Sequence, residues 1–268
     1  MNLGGKKVIL TGATGGIGQE VAQALVAKGT WVLLVGRNQV SLSILEKSLK
    51  SEGYGSDRGV FSVSADVSVE SQRQHIVEFA HGAMGGVDIL INLAGAMSFT
   101  EFSEESLETT EQLFQSNVIA PMQLSRLLLP EMVEQGSGNI VNVGSIFGSI
   151  AFAWFTTYSS TKYALRGFSE ALRRELVDTG VEVTYIAPRA VSTPFNSERM
   201  MEMCLATDTE MDSPQEVARQ LISALEHGKK ERYLGFPEKL FVRINNLFPR
   251  LVDMALKGQN QIAKRYLK

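Results

Sequence analysis

Apolar residues along this chain fall into two alternating rhythms. Short runs rich in β-branched residues recur every few tens of positions, and longer stretches with apolar residues three and four apart lie between them. Residues 8–11, 31–35, 59–64, 88–92, 139–143 and 181–186 read as strands, and 232–234 as a seventh at an edge. Residues 17–28, 41–51, 69–81, about 106–133 and 157–178 carry the helical pattern. Gly29 marks the C-cap of the first helix, and Pro121 is placed to bend the fourth. Ser213 and Pro214 open a further helix, running to about His227, as N-cap and first helical residue. This alternation predicts repeated βαβ units and a parallel sheet.

Two segments break the rhythm. Residues 194–212 hold Met200, Met201, Met203, Cys204 and Met211 among polar positions, an adaptable apolar stretch suited to a substrate lid. Residues 236–268 follow the completed sheet as an extension to a 1–235 domain. There Leu240, Phe241, Ile244, Leu247, Phe248, Leu251, Val252 and Ala255 form a stripe at helical spacing, broken by Pro249 and accompanied by Lys239, Arg243, Arg250 and Lys257. A stripe of this kind closes over the pocket, meets another subunit, or lies on a membrane surface through 236–257. Packing on protein is the expectation, because only four cations accompany the stripe and a proline interrupts it.

Composition narrows the classes. The chain has 268 residues, 44% hydrophobic and 21% charged, enough for one ordinary domain with a full core. A net charge of −3 offers no basic field for nucleic acid. The single Cys204 rules out an internal disulfide and suits a reducing compartment, and His75, His81 and His227 lack ligand spacing, so no metal is expected. With no apolar leader and no run of ~18 apolar residues, the expected location is the cytoplasm.

The chemistry lies at the strand ends. Thr11, Gly12, Ala13, Thr14, Gly15, Gly16, Ile17 and Gly18 follow the first strand and open the first helix. Glycines there let a pyrophosphate reach backbone N–H groups at a positive helix terminus, although a glycine-rich turn can also be empty. No acidic residue lies between Lys28 and Glu46, so no carboxylate can accept the ribose hydroxyls of NAD; Arg37 can pair with the 2′-phosphate of NADP. NADP (as NADPH) is therefore favoured over NAD, with a solvated loop arginine as the alternative. Asp66, before Val67, reads equally as an acceptor for an adenine amino group and as a helix cap. Asn92, Leu93, Ala94 and Gly95 end the fourth strand with a pair small enough for backbone to pass a flat ligand. Tyr158 and Lys162 share one helix face, where an ammonium favours the phenolate and lowers a phenol's pKa from about 10. Ser145, at the end of the fifth strand, can hold a carbonyl or alcohol oxygen beside that phenol. Singly, these are an exposed helix pair and a strand-end hydroxyl, and Asn117 is a helix cap. Together they are the equipment for hydride transfer. A serine hydrolase is disfavoured because Ser145 lacks the G-x-S-x-G frame.

From about residue 6 to 234 these features resemble the classical short-chain dehydrogenase/reductase family. The matching positions are Thr11-Gly12-x-x-x-Gly16-x-Gly18, Asp66, Asn92 to Gly95, Asn117, Ser145, Tyr158-x-x-x-Lys162, and Pro188 followed by Val191-x-Thr193. The resemblance implies a single Rossmann-type domain: a doubly wound, parallel, seven-stranded sheet with helices on both faces. It also implies an NAD(P)-dependent oxidoreductase in which Tyr158 donates the proton. Lys162 would lower the Tyr158 pKa and hold the nicotinamide ribose, Ser145 would hydrogen-bond the reacting oxygen, and Asn117 would order a water linking Lys162 to solvent. Thr193 would hold the carboxamide. Two positions depart from the pattern: Leu93 stands in place of a second Asn, and Arg189 in place of the Gly after Pro188, where it would add a phosphate contact or reshape substrate entry.

Phe147, Phe152, Trp154 and Phe155 lie where pocket walls form in such a fold. With the methionine segment they favour an apolar ketone or secondary alcohol, fatty-acyl or steroid-like, over a sugar. Ordinary core or a subunit contact is the alternative for these side chains. Three function classes stay open. An NADPH-dependent carbonyl reductase or alcohol dehydrogenase is favoured, as a homodimer or homotetramer. A sugar-nucleotide epimerase or dehydratase would call for a different glycine spacing and a longer substrate domain. A nucleotide-sensing binding protein would not need the intact Ser/Tyr/Lys/Asn set.

Overall fold

The computed structural model describes residues 1–51 and 59–267. Among them β1 (Lys7–Thr11), β2 (Trp31–Gly36), β3 (Val60–Ser64), β4 (Ile89–Asn92), β5 (Gly138–Val143), β6 (Val181–Ala187) and β7 (Glu231–Tyr233) form one sheet. Its order is β3-β2-β1-β4-β5-β6-β7, and every pairing is parallel. The winding reverses between β1 and β4, so a crevice opens beyond their C-terminal ends, where open α/β sheets bind ligands.

Alternate residues of the central strands feed two cores. Val8, Leu10, Val32, Leu34, Ile89 and Ile91 pack with Val21 and Leu25 of α1 (Gly16–Ala27) and Val217, Leu221 and Leu225 of α8 (Pro214–Glu226). On the other face Ile9, Leu33, Leu90 and Ile140 meet Ile76 of α3 (Glu70–Met84), Leu124 and Leu128 of α5 (Ala120–Glu134) and Leu172 of α6 (Thr156–Glu175). Both faces are covered, which is why these strands are nearly continuous apolar runs. Each fully buried Leu, Ile or Val contributes about 1.5–3 kcal/mol, and this anchors the strand ends that carry the polar residues.

Where the structure departs from the sequence pattern, the causes are local. The stretch expected as one bent helix over 106–133 is α4 (Leu107–Phe114), a π-helical turn Gln115–Ile119, and then α5. Pro121 has no N–H to return to Asn117, and the helix widens its turn just before it. The helix α6 stops at Glu175, short of the expected 178, and Asp178 takes φ +68°. Within the lid segment an unforeseen helix, α7 (Glu198–Ala206), is capped by the Ser197 hydroxyl, which accepts from the Met200 amide at 3.3 Å.

The extension forms two helices beside the lid. α9 (Glu238–Leu247) and α10 (Pro249–Ala263) are separated by Phe248, and Pro249 opens the second of them. Val242 and Val252 bury against Ile146, Ile150 and Tyr185, while Ala263 packs with Met200, Met203 and Cys204. The helix α2 (Gln39–Ser51) lies far back in the chain beside β3, and Lys268 falls outside the described residues. No described helix is long and apolar enough to cross a membrane.

Candidate active site at the strand ends

A cleft of about 370 Å³ lies at the C-terminal ends of the strands. Gly12, Thr14, Gly15, Gly16, Ile17, Gly18, Arg37, Asp66 and Val67 line one part, and Ser145, Phe147, Tyr158 and Lys162 another, with Ala94, Gly95, Pro188, Val191 and Thr193 also in the wall. Gly12 has φ +69°, and a Cβ on it would come within 2.8 Å of the Ala94 nitrogen. A Cβ on Gly18 would stand 2.2 Å from the Gly12 carbonyl oxygen, so that glycine lets α1 start tight against the loop. Gly16 serves a different neighbour than expected, because its missing side chain makes room for Thr193, whose Cγ2 would lie 2.7 Å from a Cβ there. Gly15 is the N-cap of α1 and no side chain caps that terminus. Its first amides therefore remain available to an anionic ligand, and the residues present fit a dinucleotide pyrophosphate.

Arg37 sits at the end of β2 facing the cleft, in no ion pair among the described residues. The Ser64 hydroxyl donates to its carbonyl oxygen at 3.0 Å and holds the turn. Asp66 is not the N-cap of α3, a position Val69 takes without a side-chain bond. Its carboxylate instead accepts from the Ser68 amide at 2.9 Å and the Ser68 hydroxyl at 2.7 Å. Burial opposes ionisation of Asp66, but the two Ser68 bonds and the Arg37 charge outweigh it and hold the carboxyl below its usual range.

Thr11 and Asn92, expected as cofactor contacts, and Asn117, expected to order a water, stand behind the residues that line the cleft. The Thr11 hydroxyl accepts from the Leu93 and Ala94 amides at 3.0 and 3.1 Å, tying β1 to the end of β4. Asn92 donates to the Asn142 side chain at 2.9 Å, and Asn142 donates to the Ser169 hydroxyl at 2.9 Å. This buried polar chain sets α6 against the sheet. The Asn117 amide accepts from the Ala96 N–H at 2.8 Å and donates to the Ala96 carbonyl at 2.8 Å and the Thr161 hydroxyl at 3.0 Å. With its side chain so engaged, Asn117 positions the Gly95 turn and α6.

Tyr158 and Lys162 lie one turn apart on α6, with the ammonium nitrogen 5.6 Å from the phenol ring centre and donating to the Val143 carbonyl at 3.2 Å. Ser145 extends from β5, hydrogen-bonds the Tyr158 hydroxyl, and accepts from the Phe147 amide at 3.1 Å. Burial pushes the Tyr158 pKa up to about 12, opposed in part by the Ser145 hydrogen bond. Burial likewise pulls Lys162 down to about 8. The expectation that Lys162 brings the phenol toward neutral pH is not met in the protein alone, because the dry surroundings disfavour both charges. Tyr158 is held as a protonated donor.

Arg189 is held by three carboxylates. Its Nε and Nη2 donate to Asp212 at 3.0 and 2.9 Å, and its Nη1 pairs with Glu210 and, at 3.3 Å, with Glu238. Burial works against this charge, but the three carboxylates outweigh it and raise the pKa further. The guanidinium thus joins the β6 end, the lid and α9 while lining the cleft, an arrangement in which it shapes the entry. Around it, the Pro188 carbonyl accepts from the Ile146 amide at 2.9 Å, and Val191 bridges to Asp212.

Beside Tyr158 the cleft becomes apolar. Phe147 stacks on Phe152 with centroids 4.6 Å apart, meets Phe155 edge-on at 5.0 Å, and lies 6.0 Å from the Tyr158 ring. Of the four aromatics expected as walls only Phe147 lines the cleft; Phe152 and Phe155 back it. Trp154 turns to the extension, donating to the Asn260 carbonyl at 3.4 Å with the Lys264 ammonium 5.7 Å from its ring. Met97, Phe195 and Met200 complete the wall. Met97 was not foreseen, although an apolar residue two positions beyond Gly95 is a usable signal.

A family model described as short chain dehydrogenase matches residues 6–203. The ketoacyl reductase HetN of Nostoc sp. is 33% identical, over 94% of this chain and 88% of its own. The 3-ketodihydrosphingosine reductase of Bos taurus is 31% identical, over 87% of this chain and 72% of its own. Among solved structures, an actinorhodin polyketide ketoreductase with NADPH superposes with a TM-score of 0.77 at 25% identity, over 86% of this chain and 95% of that one. A short-chain dehydrogenase/reductase from Burkholderia phymatum in complex with NAD reaches 0.84 at 22% identity over 94% and 96%, a likeness of fold. Sequence match, sheet order and the Ser145, Tyr158 and Lys162 cluster agree: the chain belongs to the short-chain dehydrogenase/reductase family and is an oxidoreductase acting on C=O or CH–OH groups.

Proposed function

We propose that this protein is an NADPH-dependent carbonyl reductase whose substrate is an apolar ketone, or a secondary alcohol in the reverse direction. The two ends of one cleft carry this reading: Arg37, in no ion pair among the described residues, at one, and Phe147, Met97 and Met200 beside the proton donor at the other. Arg37 would pair with the 2′-phosphate, the uncapped amides of α1 would take the pyrophosphate, and Asp66 would accept from the adenine. Thr193 and Lys162 would hold the nicotinamide end. Relatives named for keto substrates support the same reading.

When bound there, a nicotinamide supplies the hydride. The chain supplies the rest. Tyr158, with its pKa pushed up to about 12, keeps its proton at neutral pH and presents it to a carbonyl oxygen. The Ser145 hydroxyl gives that oxygen a second donor from the rigid end of β5. Both stand in place before negative charge develops, so they stabilise it without reorganising. The positive form of Lys162 favours the phenolate that remains. Residence in the cytoplasm and assembly as a homodimer or homotetramer accompany this reading.

The deciding experiment follows NADPH oxidation by purified protein with ketones of increasing alkyl length. Each added methylene that enters the apolar wall should raise kcat/KM about fourfold until the wall is filled, from about 0.8 kcal/mol per buried CH₂. NADH should serve poorly. Turnover of polar sugar ketones with no gain from alkyl length would refute the proposal.

A further inference from the structure

The extension has two faces, and only one is covered. Val242 of α9 and Val252 and Ala263 of α10 turn inward, onto Ile146, Tyr185 and the lid methionines. On the other side Leu240, Phe241, Leu247, Phe248, Leu251 and Met254 stand in solvent, with Leu247 72% exposed and Met254 66%. On α9, Leu240 and Leu247 lie across the helix from Val242, as residues seven apart on one face must. The helices cannot turn these residues into the core without withdrawing Val242 and Val252 from it.

Charge decides what covers this face. Residues 236–268 hold seven Lys or Arg against two carboxylates, a net +5, whereas the rest of the chain is −8. One of the two carboxylates, Glu238, is already paired with Arg189. Lys239, Arg243, Arg250 and Lys257 are exposed, and none takes part in an ion pair among the described residues. A two-fold contact between copies through this face would set these cations against themselves. An anionic lipid surface satisfies both parts at once, with side chains entering the acyl boundary and cations meeting headgroups.

We infer that α9 and α10 dock the protein on an anionic membrane surface without spanning it. Phe248 and Leu247, at the corner between the helices, enter deepest. The opposite face of the same helices holds the lid helix α7 and, through Glu238, the Arg189 junction, so the docked element is continuous with the wall of the cleft. The inference does not depend on the substrate or on the cofactor.

The test is cosedimentation of the full-length protein with phosphatidylcholine vesicles with and without phosphatidylglycerol. Circular dichroism melting checks that each variant is folded. The wild type should partition to the anionic vesicles and leave them at high salt. Each cation contributes about a fivefold factor, so Lys239→Glu/Arg243→Glu/Arg250→Glu/Lys257→Glu should weaken partitioning at least about a hundredfold. Leu247→Ser/Phe248→Ser should weaken it as well while keeping the fold. The inference is overturned if the wild type stays in the supernatant, if either variant partitions as the wild type does, or if the exposed residues hold together an oligomer that Leu247→Ser/Phe248→Ser dissociates.

Discussion

Replacing Lys162 by methionine should make the protein more stable and inactive. Lys162 is 6% exposed, its ammonium donates to the Val143 carbonyl at 3.2 Å, and burial pulls its pKa from 10.5 to about 8. At pH 7, below both values, the lysine is charged in the folded and the unfolded chain, so the folded state bears the full cost of burying it. The gap between 10.5 and about 8, at about 1.4 kcal/mol per pH unit, corresponds to about 3 kcal/mol. Methionine has nearly the same length and no charge, but it leaves the Val143 carbonyl without its donor, which costs about 1 kcal/mol. The expected net gain is about 2 kcal/mol at pH 7, seen as a rise in Tm of about 4–8 °C. The sign with pH is fixed: between pH 8 and 10.5 the unfolded lysine still binds a proton that the folded one has lost. Wild-type stability therefore climbs through that window, and the advantage of the variant disappears. Urea denaturation of both proteins at pH 7, 8.5 and 9.5 measures it, below the range where phenols ionise. A Lys162→Met protein less stable than wild type at pH 7, or a difference that does not narrow as pH rises, would refute this account.

The other predictions concern the same cleft. Tyr158→Phe should keep NADPH binding, measured by fluorescence titration, and lose turnover by about 10²–10⁴, because the proton donor is gone; near-normal turnover would remove Tyr158 from the chemistry. Arg37→Asp should weaken NADPH by about 1.5–3 kcal/mol and NADH far less, and equal losses for both would sink the phosphate assignment. Arg189→Ala strands Asp212, 10% exposed at its side chain, and should cost about 2–4 kcal/mol in urea denaturation. Adding Asp212→Asn should then restore a good part of that loss, and two simply additive losses would show that the pair does not act as a unit.

Most of the sheet was legible in the sequence because a strand buried on both faces must be an apolar run of limited length. Lys7–Thr11 and Ile89–Asn92 are of that kind, and both came within one residue of the reading. The lid helix was not legible. Its methionines pack on Phe155 and on Ala263 from the far end of the chain, and no local period announces a helix stabilised by such remote neighbours. Ser197 followed by Glu198 was the available local signal, an N-cap with an acidic first turn.

Residue type at the site was easier to read than what each residue touches. Thr11 and Asn92 were expected at the ligand and Asn117 at a water beside Lys162, because the chemistry places polar groups there. Yet a polar group 1–2% exposed is drawn to partners inside the protein: Thr11 and Asn117 bond backbone, and the Asn92 NH₂ bonds Asn142, while the Asn92 oxygen is left without a partner among the described residues. Arg189 followed the same rule. The carboxylates that hold this guanidinium at the edge of the cleft, Asp212, Glu210 and Glu238, come from 23, 21 and 49 residues away. Such separations have no signature in the chain, whereas Tyr158 and Lys162, four residues apart on one helix, carry theirs in their spacing. The pKa values show the limit of spacing even there. It placed the ammonium near the phenol, but the burial of both groups, set by the whole fold, decides which of them is charged.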